Sequence, residues 1–339
     1  MDYKQEFQQE DLILCAPSMI QIYQKAKMLA NKQASILIYG ESGVGKNHLA
    51  KYIQQNGSRA QAPFIPIHCN AIPSELFASE LFGYSPNAFT GASVKGKIGL
   101  LEAAHHGTIL FDEIDELSPE NQTLLLHFLQ NKTITPLGSL KSRTIDARII
   151  CISGRDLRKM INDGSFRLDL YYRICVANIY IPPLRKRREE IPDFINHFIR
   201  KYAEEYNCNY KKLVIPIHKM ETLSQLDWLG NIREIINFAQ QICLTEDIPH
   251  TIETYSKRQQ TLSQKILDDI DNINTPPLTI KTLKDAVQEF ERGYITAIIA
   301  ESENLHEAAK RLGISFSTLC RKKAELGITQ KCHRYSESL

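Results

Sequence analysis

"SILIYGESGVGKNHLA", residues 35–50, decides how the rest of the chain is read. Its first part is a short apolar run ending in glycine, which reads as a buried strand, and its last part opens a helix. Between them stands G-x-x-x-x-G-K, from Gly40 to Lys46. Three glycines let the backbone of Gly40, Glu41, Ser42, Gly43, Val44 and Gly45 wrap so that successive N–H groups point inward at phosphate oxygens. The start of the helix adds positive dipole character. Lys46 can reach the β- and γ-phosphates of a nucleotide. The next residue, which in this motif normally offers a hydroxyl to magnesium, is Asn47, so an amide oxygen or a water has to stand in.

Working outward, "PFIPIHC" (63–69), "GTILFDEID" (107–115) and "ARIICIS" (147–153) are further short apolar runs. Helical patterns such as "PENQTLLLHFLQN" lie between them, an alternation that implies a parallel sheet covered by helices. The run at 107–115 delivers Asp112 and Glu113 to the end of its strand, where open α/β sheets bind ligands. Asp112 is placed to hold magnesium through water and Glu113 to polarise an attacking water, because phosphoryl transfer needs mainly positioning and charge stabilisation. Beyond Pro182-Pro183, amphipathic helices without strands predict a small helical subdomain. The expected organisation is an α/β nucleotide-binding part over 1–180, a helical lid over 181–248, a polar linker over 249–280 and an all-helical domain over 281–330.

Composition bounds the classes. The chain has 339 residues, 43% of them apolar, and a net charge of +2, which supports packed cores and excludes a uniformly basic or acidic protein. Eight cysteines are scattered without a C-x-x-C pair, which suggests neither a disulfide framework nor a zinc site. No signal peptide and no transmembrane helix are expected, and a reduced cytoplasm fits. The basic bias is local: Lys310 to Arg334 holds seven Lys or Arg and one acid, Glu325. Within it, Leu305, Ala308, Ala309 and Leu312 form a helix stripe, Gly313 permits a turn, and a second helix carries Thr318, Arg321 and Lys322 outward with Ser317 near its cap. This reads as a helix–turn–helix: Arg321 suits guanine edges, and Ser317 and Thr318 suit phosphates or base edges. An ordinary helical hairpin with a basic face is the bland reading of the same residues.

The motifs "GESGVGK", "SELFGYSPNAFTGA", "GTILFDEIDEL", "FRLDLYYRI", "IPPLRKRREEI" and "WLGNIREI", in this order, resemble the AAA+ P-loop NTPase domain of bacterial enhancer-binding proteins, the activators of sigma-54 RNA polymerase. The resemblance runs from about Leu12 to Leu244, and the C-terminal part resembles the Fis-type helix–turn–helix. It implies a parallel sheet with a helical lid and an all-α DNA-binding domain. It implies ATP and Mg2+ as cofactors, and upstream DNA, the sigma-54 holoenzyme and further copies of the chain, as a hexamer, as partners. In the family, Arg167 and Arg173 reach the nucleotide of the neighbouring subunit, and Arg233 senses nucleotide within its own. Phe89, Thr90 and Gly91 grip sigma-54 from a projecting hairpin loop. Because the pattern starts near residue 10, no receiver or ligand-sensing domain is expected ahead of it, and control falls to expression level or a separate inhibitory protein.

The chain departs from the family at Asn47, usually acidic; at His68, usually Asn, with Asn70 nearby; at Ser153-Gly154, usually Thr-Asn; and at Asn87, usually Gly. Two readings follow. One is a mechanochemical ATPase that binds upstream DNA and remodels a promoter complex. The other is a DNA-binding regulator in which ATP binding is an assembly switch without productive turnover. Intact Asp112, Glu113, Arg167, Arg173 and Phe89-Thr90-Gly91 favour the first, and the departures favour the second.

Overall fold

A computed structural model describes residues 15–88, 93–257, 283–300, 302 and 304–328. It divides into two compact units, residues up to 262 and residues from 263.

Among the described residues the first unit has nine strands: β1 (Ile36–Tyr39), β2 (Phe64–His68), β3 (Gly83–Tyr84), β4 (Lys97–Ile98), β5 (Thr108–Asp112), β6 (Thr133–Ile134), β7 (Arg143–Thr144), β8 (Arg148–Ser153) and β9 (Ala177–Tyr180). Five form a parallel sheet in the order β2-β5-β8-β1-β9. The central positions of β5 and β8 follow from "TILFD" and "RIICIS", which are buried along their whole length. Such near-continuous apolar runs suit strands covered on both faces. Alternation does the rest: Leu37, Ile109, Phe111, Ile149 and Cys151 join the core on one face, and Ile36, Ile38, Leu110, Ile150 and Ile152 the core on the other. Strand β9, preceding Pro182-Pro183, was not foreseen from the sequence; of its residues only Ile179 is buried, so no apolar run marks it.

The stretch 85–99 is expected to be a hairpin loop, and its base is one: β3 pairs antiparallel with β4, Gly83 opposite Ile98 and Tyr84 opposite Lys97. Phe89, Thr90 and Gly91 lie outside the described residues. Gly96 has a left-handed φ of +71°, whereas Gly99, at φ −75°, is needed for space. A Cβ there would come within 2.3 Å of the Leu81 carbonyl oxygen. A second ribbon, β6 with β7, lies beside the first: Ser85 N–H donates to Leu137 O at 2.9 Å, and Leu137 N–H to Gly83 O at 3.0 Å.

The lid helices are Ile191–Glu205, Ile217–Gln225 and Asn231–Thr245. A linker from 249 was expected, but residues 248–257 are helical and belong to the lid. Ile248, Ile252 and Tyr255, at helical spacing, are buried against the lid core, and the Asp247 side chain accepts from His250 N–H at the helix start. The polar composition of the stretch had hidden that stripe. Trp228 is fully buried edge-on to Phe238, and its Nε1–H donates to Leu223 O at 2.8 Å.

In the second unit, helices Leu283–Ala300, Leu305–Arg311 and Phe316–Glu325 enclose Ile295, Ile299, Ala308, Ala309, Leu319 and Ile328. Among the described residues no helix is long and apolar enough to cross a membrane.

Candidate functional site

The sheet order places β8 between β1 and β5, so the loop after β1 and the acids at the end of β5 open onto one edge. There they line a cleft of about 500 Å³ with Lys46, Asn47, Asp112, Glu113 and Arg233 among its walls. Lys46 Nζ donates to the carbonyls of Gly40 and Glu41 at 2.7 and 2.8 Å. Burial lowers its pKa, partly offset by Asp115 and Asp112. Gly43 has φ +75°, and a Cβ on it would lie 2.3 Å from the Gly230 carbonyl oxygen, so only glycine lets the lid approach this closely.

Asp112 is buried, and its Oδ2 receives Asn47 Nδ2 at 3.0 Å and contacts His68 Nδ1 at 3.1 Å. Glu113 stands just beyond the strand with a left-handed φ of +57°, uncommon for a residue with a Cβ and costly unless its surroundings hold it. Two residues on, the buried Asp115 accepts from Gly154 N–H at 3.0 Å, and Arg155 pairs with Glu116 at 2.8 Å. The Ser153-Gly154 departure thus leaves a backbone donor bound to an acid of the cleft.

The lid closes the opposite wall. Arg233 Nη1 donates to Ser42 Oγ at 2.7 Å. Glu41 is held by Arg185, and that pairing keeps its carboxyl below the usual range against the opposing effect of burial, with Asn231 adding to it. Arg167 and Arg173 are exposed and do not line the cleft. Arg167 forms a two-pronged pair with Asp169, at 3.0 and 2.7 Å, which raises its pKa.

In the second unit the cap of helix Phe316–Glu325 is Ser315, two residues before the expected Ser317. Its Oγ accepts from Thr318 N–H at 3.2 Å and also meets the Thr318 hydroxyl at 2.7 Å. Ser317 and Arg321 are exposed. Lys322, expected to face outward, instead pairs with Glu291 of the Leu283–Ala300 helix at 2.6 and 2.8 Å. The Leu283–Ala300 helix and this one lean on each other through that pair, which a one-dimensional basic count does not reveal.

Profiles of three families match in order: "Sigma-54 interaction domain" over 12–180, "AAA+ ATPase lid domain" over 185–269 and "Bacterial regulatory protein, Fis family" over 286–326. Regulatory protein AtoC of Escherichia coli (strain K12) is 37% identical over 323 residues, 92% of this chain and 67% of that protein. The chain belongs to the sigma-54-dependent transcriptional activators. DNA-binding transcriptional regulator NtrC of Proteus hauseri is 33% identical, covering 94% of this activator and 70% of NtrC. The uncharacterized protein in the HyuA 5' region of Pseudomonas sp. (strain NS671) is 36% identical over 89% of this activator and 99% of its own length. This activator spans about half of the phenol regulator MopR of Acinetobacter guillouiae, 52% of its length. A crystal structure of NtrX from Brucella abortus in complex with ADP superposes with a TM-score of 0.63 at 28% identity, over 96% of this activator and 71% of NtrX.

Sequence reasoning thus reached the phosphate loop, the acids of β5 and Arg233, which the fold brings to one cleft. It missed Arg185, Arg187, Asn231 and Asp115 as neighbours of that cleft. The signal for the first three was present in "IPPLRKRREEI" and "WLGNIREI", but which cation faces the loop depends on how the lid folds back.

Proposed function

We propose that this activator binds ATP with magnesium in the cleft, hydrolyses it when assembled with further copies, binds upstream DNA through its helix–turn–helix, and remodels sigma-54 RNA polymerase in the cytoplasm. The observation that carries the reading is the convergence of Lys46, Asp112, Glu113 and Arg233 on one cleft while Arg167 and Arg173 stand outside it. The glycine-lined loop at a helix start suits phosphates. Asp112 and Asn47, in contact with each other, are an oxygen-bearing set that suits a hard cation. Among the described residues no cluster of three or more His, Cys, Asp or Glu forms a metal site, so phosphate oxygens would complete the cation's shell. Magnesium would neutralise charge on the β- and γ-phosphates.

Lys46 holds the phosphates, Glu113 accepts a proton from the attacking water, and Arg233 ties the lid to the occupied loop. Arg167 and Arg173 act on the nucleotide of a neighbouring copy, in a hexamer, where Arg167 exchanges Asp169 for phosphate. Phe89, Thr90 and Gly91 engage sigma-54, Ser317, Thr318 and Arg321 meet DNA, and a separate inhibitory protein is one route of control. Lys322, committed to Glu291, supports the recognition helix more than it contacts DNA.

The alternative, ATP binding as an assembly switch without turnover, draws on Asp112 Oδ2 being engaged by both Asn47 and His68. Steady-state ATPase against protein concentration, paired with transcription in vitro from a sigma-54 promoter, separates the two. Turnover per subunit should rise steeply with concentration. Arg167→Ala should be inactive alone and regain activity when mixed with Lys46→Ala. ATP-dependent assembly without turnover or open-complex formation would favour the switch.

A further inference from the structure

The segment 181–191 carries the family resemblance, yet the nucleotide reading above leaves its cations without a part. Two of them face the phosphate loop. Three consecutive carbonyls of that loop are held from the lid side. Ser42 O accepts from Asn231 Nδ2 at 2.9 Å, Gly43 O from Ile232 N–H at 3.0 Å, and Val44 O from Arg187 Nη2 at 2.9 Å. One residue earlier, Arg185 grips both oxygens of Glu41 at 2.6 and 2.7 Å, a fork that a lysine cannot reproduce.

A trans peptide is planar, so its N–H points away from its C=O. Holding the carbonyls of residues 42, 43 and 44 on the outer side therefore turns the N–H groups of Gly43, Val44 and Gly45 toward the inner side. The holders are themselves fixed. Asn231 is fully buried, sits at a left-handed φ of +54° and accepts from Leu184 N–H at 2.8 Å. Arg187 is buried and pairs at 2.8 Å with the buried Glu190, which also accepts from Ala16 N–H at 3.1 Å.

We propose that Arg185, Arg187 and Asn231 are positioning residues that hold the outer face of the phosphate loop from the lid side, so that the loop presents its N–H groups to phosphate only while the lid is docked. This rests on the nucleotide reading of the cleft. Lid docking and nucleotide affinity then share one coupling free energy: whatever loosens the lid weakens the nucleotide, and the nucleotide tightens the lid by the same factor.

The test uses the full chain, the half-exposed Arg185→Gln, and Arg185→Lys. Amide hydrogen exchange is followed over 40–47 and 230–237 without nucleotide and with ADP, alongside calorimetric ADP and ATP binding. In Arg185→Gln, exchange of both segments should rise together, and ADP affinity should fall about tenfold, as expected for loss of a charge-assisted fork. Arg185→Lys should recover only part of both. The sheet strands should exchange as before, which a general loss of stability would not allow. Unchanged exchange over 40–47 and unchanged affinity in Arg185→Gln would overturn the positioning role alone. Failure of the unaltered chain to bind ADP or ATP would overturn the nucleotide reading on which it rests.

Discussion

Around the phosphate loop, Glu41 meets Arg185 and Ser42 meets Arg233 across 144 and 191 residues of chain; in the helix–turn–helix, Ser315 meets Thr318 three residues on, and Lys322 reaches Glu291 across only 31. On the proposed reading, the two regions handle the same problem, presenting polar groups to phosphate, with opposite economies of chain. A short-range motif needs a cap, a turn and a few apolar side chains, and each is local. The cleft exists only after the sheet has ordered its strands and the lid has folded back, so each of its groups depends on many others. Damage should therefore spread within the cleft and stay confined within the helix–turn–helix.

The largest expected effect lies in the cleft. Glu113→Gln should lower ATP turnover by about 100-fold or more, the usual size of a lost general base, while calorimetry shows ATP still bound. Turnover near that of the unaltered chain would move the proton acceptor elsewhere and remove the functional reason for the left-handed backbone at Glu113.

Confinement is tested next. Leu319 is fully buried in the second unit. Leu319→Ala should destabilise that unit by about 2–5 kcal/mol and weaken specific DNA binding, with ATPase activity untouched. Parallel loss of turnover would show that the two units do not behave separately.

A smaller effect probes the long-range pairing by pH. Hydrogen bonding to Arg185 holds the Glu41 carboxyl below its ordinary value of 4.5, burial opposes this, and Asn231 assists it. A depressed carboxylate stabilises the fold above its unfolded pKa and loses that contribution as pH falls through the folded value. The melting-temperature gap between the unaltered chain and Glu41→Gln should be full near pH 7 and close as pH drops below about 4. A gap that persists in acid would assign the loss to packing.

The smallest effect is expected at the hairpin. Asn87 has φ +57°, a conformation Asn tolerates better than most residues and Gly adopts freely. Asn87→Gly should shift stability by only a few tenths of a kcal/mol and leave transcription activation intact. A clear loss of activation with normal ATPase would give the Asn side chain a part in the loop's contact with its partner.

Much of this was legible in the chain. The phosphate loop, the strand ending in Asp112-Glu113 and the helix–turn–helix are contiguous and carry their own periodicity. What escaped was short or compositionally disguised. Strand β9, in which only Ile179 is buried, and the two-residue strands of the β6–β7 ribbon show no apolar run, and the lid helix at 248–257 hides three apolar contacts in a polar stretch. Ser315 rather than Ser317 caps the recognition helix because a cap is decided by where φ and ψ turn helical, two residues earlier than the composition suggested.

The sequence by itself determined the parallel sheet, the glycine-lined loop and the order of the family motifs, because strand period, glycine content and the position of a lysine are properties of adjacent residues. Only the tertiary structure decided which groups share a site. Arg185 and Arg187 are two of four cations in "RKRR", and nothing in that run distinguishes them. They face Glu41 and Val44, while Arg188 pairs with Asp227 at 2.9 Å. The reason is geometric: a charged run specifies no direction until the backbone around it is fixed, and here the lid packed against the phosphate loop fixes it.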